Sequence, residues 1–208
     1  MSNLHIISHP LIENKITMLR NEKTGSKEFR EVVEEVATLL FYEATRTAPT
    51  ARTKITTPIC ETECNIIDIK FAIVPILRAG IGMVNGILSL MPTIKVGHIG
   101  IFRNPETLMP VEYFCKLPTD CNERRTFLID PMLATGGTAS AAIKCLKTRN
   151  VRNITMLCLL ACPDGVAKLQ QEHPDVDIYT AAFGQTLNEH GYIVPGLGDA
   201  GDRIFGTK

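Results

Sequence analysis

From Phe71 onward, apolar runs of strand length alternate with segments whose apolar residues recur at helical spacing. The runs lie at 71–77, 95–102, 127–130, 154–161 and 176–183, and the helical segments at 82–90, 139–148 and 164–172. Parallel strands need crossover connections, and crossovers within one sheet are right-handed. The pattern therefore predicts an α/β fold with a mainly parallel sheet flanked by helices, whose near-continuous apolar strands are covered on both faces. Such sheets bind ligands outside the carboxyl ends of their strands. Arg78, Arg103 and Asp130 all fall at such ends.

Two helices are expected ahead of the sheet. The first starts near Pro10 and carries Ile12, Ile16 and Leu19 on one face. The second follows Ser26, with Phe29, Val32, Val33, Val36, Leu39 and Leu40 as a stripe and Arg30, Glu31, Glu34 and Glu35 facing out. Its apolar excess suits a dimer. Residues 45–68, rich in Thr and Pro, read as loops and short strands, and a long excursion after Arg103 ends near Arg124.

A length of 208 residues fits one domain, 1–208, with a substantial core. Formal net charge of +0 argues against a nucleic-acid or anionic-membrane surface, and no apolar stretch approaches the length of a membrane span. The start, Met-Ser-Asn-Leu-His-Ile-Ile-Ser-His-Pro, has neither the basic nor the apolar part of a signal peptide, so a cytoplasmic protein is expected. Seven cysteines at 60, 64, 115, 121, 145, 158 and 162 include no Cys-x-x-Cys and read as reduced, mostly structural thiols. Zinc at Cys60/Cys64 or Cys158/Cys162 is disfavoured because neither pair has a histidine close in sequence, and Cys158 reads as a small core residue.

Chemistry concentrates at Thr126 to Thr138. An apolar strand ends on Asp130, and Pro131, Met132, Leu133, Ala134, Thr135, Gly136, Gly137 and Thr138 lead into a helix. Thr-Gly-Gly-Thr alone is compatible with a plain tight turn in which Thr138 caps the helix. It equally suits a phosphate cradle, in which small residues let backbone N–H groups face an anion at a helix N-terminus. Asp130 is then placed for sugar hydroxyls. No Gly-x-x-x-x-Gly-Lys-Ser/Thr is present, and no Gly-x-Gly-x-x-Gly follows a strand.

Arg78 stands among small and apolar residues at a strand end, where it needs either a carboxylate partner or a phosphate to fork. Arg103 reads either as a surface charge on a hairpin or as part of a loop over a ligand. The segment from Leu187 to Lys208 is too glycine-rich for regular helix or strand, yet Ile193, Val194, Leu197, Ile204 and Phe205 argue for packing. It suits a loop pressed against a ligand. His190 reads as structural rather than as an acid or base.

The strand-turn-helix resembles the 5-phosphoribosyl diphosphate (PRPP) signature of type I phosphoribosyltransferases. Pro131 in place of the usual second acid, followed by Met-Leu-Ala-Thr-Gly-Gly, is similar to the uracil branch. Arg103-Asn104-Pro105-Glu106-Thr107-Leu108-Met109-Pro110 resembles that branch's mobile loop, with Pro105 where most relatives carry an acid, and 184–208 resembles its uracil-binding hood. The resemblance implies a single-domain type I fold and the reaction of uracil with PRPP to UMP and diphosphate. It implies that Arg78, Arg103 and Asp130 are catalytic, and that these three with Pro131 to Thr138 and Asp199 bind PRPP. Ile193, Gly198, Asp199 and Ala200 would hold uracil. It further implies a Leu77–Arg78 peptide that is often cis, Mg²⁺ bound mainly through PRPP, GTP as an effector in some relatives, and a homo-oligomer. A PRPP- or nucleotide-sensing regulator on the same fold is the alternative, against which the neutral charge and the intact 193–200 block count.

Overall fold

The computed structural model describes residues 3–103, 110–184 and 186–207, with only the backbone of Arg103. In chain order it forms β1 (Leu4–Ile6), α1 (Pro10–Arg20), α2 (Ser26–Ala44), β2 (Thr50–Thr56), β3 (Glu61–Ile67) and β4 (Phe71–Leu77). A 3₁₀ turn (Ala79–Met83) leads into α3 (Val84–Leu90), then β5 (Lys95–Val96), β6 (His98–Arg103) and β7 (Pro110–Lys116). After them come β8 (Arg125–Ile129), β9 (Met132–Leu133), α4 (Gly137–Thr148), β10 (Ile154–Ala161), α5 (Pro163–Glu172) and β11 (Asp177–Phe183). The chain ends with β12 (Thr186–Leu187), β13 (Ile193–Val194) and α6 (Ala200–Phe205).

The central sheet runs β1-β11-β10-β8-β4-β6-β7, with β5 also on β4 and β9 also on β10. Among the described strands of this sheet every pairing is parallel except β6 with β7. The alternation of side chains along a strand divides the core in two. Phe71, Ile73, Phe127, Ile129, Leu157 and Leu159 face the cluster built with α1, α2 and α3. Ala72, Val74, Ile76, Leu128, Met156 and Cys158 face the cluster built with α4 and α5. No helix of the described residues is long and apolar enough to cross a membrane.

Several expectations need correcting. Residues 45–68 contain two seven-residue strands paired as an antiparallel ribbon, Thr50 opposite Ile67. Every residue of β3 is exposed, so no alternation of polarity announces the strand. The run 95–102 is split at Gly97, and the excursion after Arg103 returns as β7. On α2, Phe29, Val32, Val33, Val36 and Leu40 of the apolar stripe are buried in this chain's own core, and Leu39 is half-buried. The approach of α3 to α2 requires Gly86, where a Cβ would lie 2.0 Å from the Glu34 carbonyl oxygen.

Candidate active site

Strand β8 ends at Ile129, and the chain then turns along β10: Leu159 N–H donates to the Pro131 carbonyl at 3.0 Å, and Cys162 N–H to that of Leu133 at 3.0 Å. Gly136, with φ of 75°, is the N-cap of α4, so Thr138 is not the cap and the helix starts two residues before Ala139. No side chain caps this end, and the first N–H groups of a helix have no partner within it. A Cβ on Gly136 would lie 2.9 Å from the Gly165 carbonyl oxygen, whereas one on Gly137 would meet only Thr135 Oγ1 at 3.7 Å. Gly136 therefore serves the fold, and Gly137 faces free space. Beside it, Asp130, Met132 to Gly136, Thr138, Ala139 and Gly191 wall a cavity of 120 Å³; Gly137 itself is not among the walls. Its walls present the donors of a helix N-terminus, the arrangement that holds phosphate.

Asp130 borders this cavity just past the end of β8. Met132 N–H donates to its Oδ1 at 3.4 Å, and no ion pair to it forms among the described residues. Burial pushes its carboxyl up to about 7, opposed only by that N–H.

Arg78 follows β4 across a cis Leu77–Arg78 peptide. Its guanidinium is not buried among apolar groups: the side chain is 62% exposed, and Nη2 lies 3.7 Å from Asp202 Oδ1 on α6. Arg78 lines neither this cavity nor a second one that its neighbour Ala79 does line. Arg103 ends β6 opposite Pro110; its side chain and residues 104–109, Pro105 included, lie outside the described residues.

The C-terminal segment has more regular structure than its glycines suggest. Strands β12 and β13 pair antiparallel, Val194–Pro195 is cis, and Asp199 caps α6 by accepting from Asp202 N–H at 2.9 Å. The glycines permit close packing: a Cβ on Gly184 would lie 2.2 Å from Ile193 Cγ2, and one on Gly196 2.0 Å from the Ile193 carbonyl oxygen. Ile193 is buried and pairs with Leu187. His190 is exposed near the β12–β13 turn, 3.5 Å from Glu189, and holds no core position.

A second cavity, of 240 Å³, brings Asp130, Met132 and Ala134 together with Ile193, Gly198, Asp199, Ala200 and Ala79. It shares Asp130, Met132, Ala134 and Gly191 with the phosphate-loop cavity. Asp130 thus stands where a ligand spanning both would be joined.

One residue of this region escaped the sequence reading. Arg203 on α6 donates to the carbonyls of Leu19, Leu197 (2.9 Å) and Asn21 (2.7 Å), and its guanidinium lies 4.2 Å above the Phe29 ring. It fastens the C-terminal segment to the α1–α2 connection. Its only signal in sequence is an arginine within a segment whose irregular backbone leaves carbonyls to be satisfied.

A family model described as uracil phosphoribosyltransferase matches residues 6–207. The chain belongs to this family. It is 59% identical to the uracil phosphoribosyltransferase of Anoxybacillus flavithermus and 57% identical to that of Lysinibacillus sphaericus, each over 100% of both chains. Among solved structures, the AQ2163 protein from Aquifex aeolicus superposes with a TM-score of 0.91 at 34% identity, over 97% of each chain. Adenine phosphoribosyl transferase from Trypanosoma brucei reaches a TM-score of 0.58 at 13% identity, covering 88% of this chain and 84% of its own, and shares the fold. Uracil phosphoribosyltransferases are thus the relatives, and the α/β architecture is that of type I phosphoribosyltransferases.

Proposed function

We propose that this chain joins uracil to the ribose of PRPP, giving UMP and diphosphate. The continuity of the two cavities through Asp130 carries the reading, since phosphate, ribose and base must lie in that order in the product. Uracil N1 forms the new bond to ribose C1 as the bond from C1 to the diphosphate oxygen breaks, and the N1 proton passes to solvent. The 5-phosphate lies in the turn from Ala134 to Thr138. Asp130 holds the ribose hydroxyls, and its carboxylate, which no protein cation pairs among the described residues, favours the positive charge that grows on the ribose. Arg78 and Arg103 stabilise the leaving diphosphate, Arg103 once its loop has closed. Asp199 faces PRPP as well as the base, and backbone groups of Ile193 and Gly198 to Ala200 read uracil.

Mg²⁺ fits this donor set. Asp130 and Asp199 offer the hard oxygens the ion prefers, and among the described residues no group of three His, Cys, Asp or Glu ligands forms a cage at this site. PRPP itself would supply most of the ligands, and the bound ion would neutralise charge on the diphosphate.

The reading takes 1–208 as one phosphoribosyltransferase domain with a hood from about 184, working in the cytoplasm as a homo-oligomer. For the oligomer, support comes from apolar side chains left exposed on the β2–β3 ribbon (Ile55, Ile66, Ile67) and at the β6–β7 edge (Phe102, Tyr113, Phe114). The test is formation of UMP from labelled uracil and PRPP, with and without Mg²⁺. Absence of labelled UMP under both conditions overturns the reading.

A further inference from the structure

On the sheet face away from α2, strand β7 and helix α4 bring together three ligand-type side chains that the transferase reading does not use. Cys115 Sγ lies 3.5 Å from Cys145 Sγ, and a Glu112 carboxylate oxygen completes a group whose ligand atoms all lie within 4.8 Å of one another. Cys145 is buried, Cys115 half-buried and Glu112 exposed, so the group opens to solvent on one side. Arg149, the C-cap of α4, binds two of the three: Nη1 is 2.7 Å from Cys145 Sγ, and Nη2 is 2.6 Å from Glu112 Oε1.

We propose that Glu112, Cys115 and Cys145 form a site for a thiophilic divalent cation of the zinc class, with water as fourth ligand. Two thiolates bound to one tetrahedral zinc at about 2.3 Å lie about 3.8 Å apart. The observed separation of 3.5 Å is close to that, whereas a disulfide would require the sulfurs to close to about 2.05 Å. Two thiolates and a carboxylate around a divalent cation carry one net negative charge, and the Arg149 guanidinium neutralises it. Its N–H groups already point at one sulfur and at the carboxylate, which is how an outer-shell donor steadies metal ligands.

Binding replaces two thiol protons by the cation. Burial pushes the Cys145 thiol well above its usual range, so its proton leaves only as the metal–sulfur bond forms. The Cys145 hydrogen bond, with help from Arg149, holds Glu112 below the usual carboxylate range, so the oxygen ligand is ionised beforehand.

Zinc titration of the full chain against a chromogenic chelator tests the site, in a Cys60→Ser/Cys64→Ser background that removes the exposed cysteine pair of the ribbon. One equivalent of zinc is expected, with two protons released, and cobalt(II) in its place should show a thiolate-to-metal charge-transfer band. Cys115→Ser should abolish that band, and Glu112→Gln, an exposed change, should weaken zinc at least about tenfold, the lower range for altered metal sites. UMP formation without added zinc should be unchanged in both variants. Equal zinc affinity in parent and Cys115→Ser, or a cobalt complex without the band, overturns the proposal. So does a Cys115–Cys145 disulfide formed in air by a chain that takes up no zinc.

Discussion

At Gly137 the first turn of α4 carries a hydrogen in place of a side chain, where the proposed reading puts the 5-phosphate. A Cβ there meets no protein atom closer than 3.7 Å, so Gly137→Val is sterically tolerated by the fold, and valine is no worse than glycine in a helix. The added methyls would fill the space where phosphate oxygens meet the first N–H groups of α4. Calorimetry should show PRPP binding abolished in a variant whose melting temperature stays within a few degrees of the parent. Normal PRPP affinity would mean that the phosphate lies elsewhere. Asp130 carries the opposite kind of constraint, a charge that the fold disfavours. Its carboxyl titrates near 3.8 in the unfolded chain and at about 7 in the native one, so the native state binds the extra proton between those values. Stability from this group is full below pH 3.8 and is lost as the pH rises through 7. Asp130→Asn keeps the shape and removes the titration. It should melt higher than the parent at pH 8 and alike at pH 3, while UMP formation falls about 10²-fold or more. Equal melting of the two at pH 8 would show that burial does not disfavour the charge.

Elements whose side chains face a core on both sides could be read from sequence, and elements held from outside could not. Strands β4, β8 and β10 are nearly all buried, so their apolar runs marked them almost to the residue. The same holds for α1, whose buried Ile12, Ile16 and Leu19 follow the helical period. The two-residue strands β12 and β13 and the short α6 have no period to show; packing of Gly184 and Gly196 on Ile193 creates them. Arg203 is hidden for the same reason, since besides that of Leu197 it bonds the Leu19 and Asn21 carbonyls, more than 170 residues earlier. Helix α6 begins at the cavity wall, so its anchor governs the base rather than the phosphate. Arg203→Ala should raise the KM for uracil about tenfold and change that for PRPP less than about twofold, the size of effect expected when a well-placed hydrogen-bonding anchor is lost. Equal rises in both constants would reduce Arg203 to a general stabiliser.

The pocket of the whole molecule is assembled from Ala79, the 130–134 turn and the 191–201 segment, and no local pattern in sequence announces such a convergence. On the proposed reading, backbone groups of Ile193 and Gly198 to Ala200 read the base, and such groups cannot adapt to one with donors and acceptors exchanged. Uracil presents an N3–H between two carbonyls, whereas cytosine presents an acceptor at N3 and a donor at C4. Competitive turnover at fixed PRPP should favour uracil by about 10⁴-fold or more, the discrimination reached when a mispaired analogue leaves buried polar groups unmatched. Cytosine used within about tenfold of uracil would sink the backbone-readout account.

The sheet also seats this pocket on both of its cores at once. Ile193, Leu197 and Ile204 belong to the core shared with α1 and α2, whereas Leu133, Ala139, Ala142 and Ile143 belong to the core under α4 and α5. Met132 and Ala134, on either side of Leu133, pack against the first core, so the turn is gripped from both faces and loosening either core disturbs the pocket. A substitution in either core, far from any ligand, is therefore felt at the pocket wall.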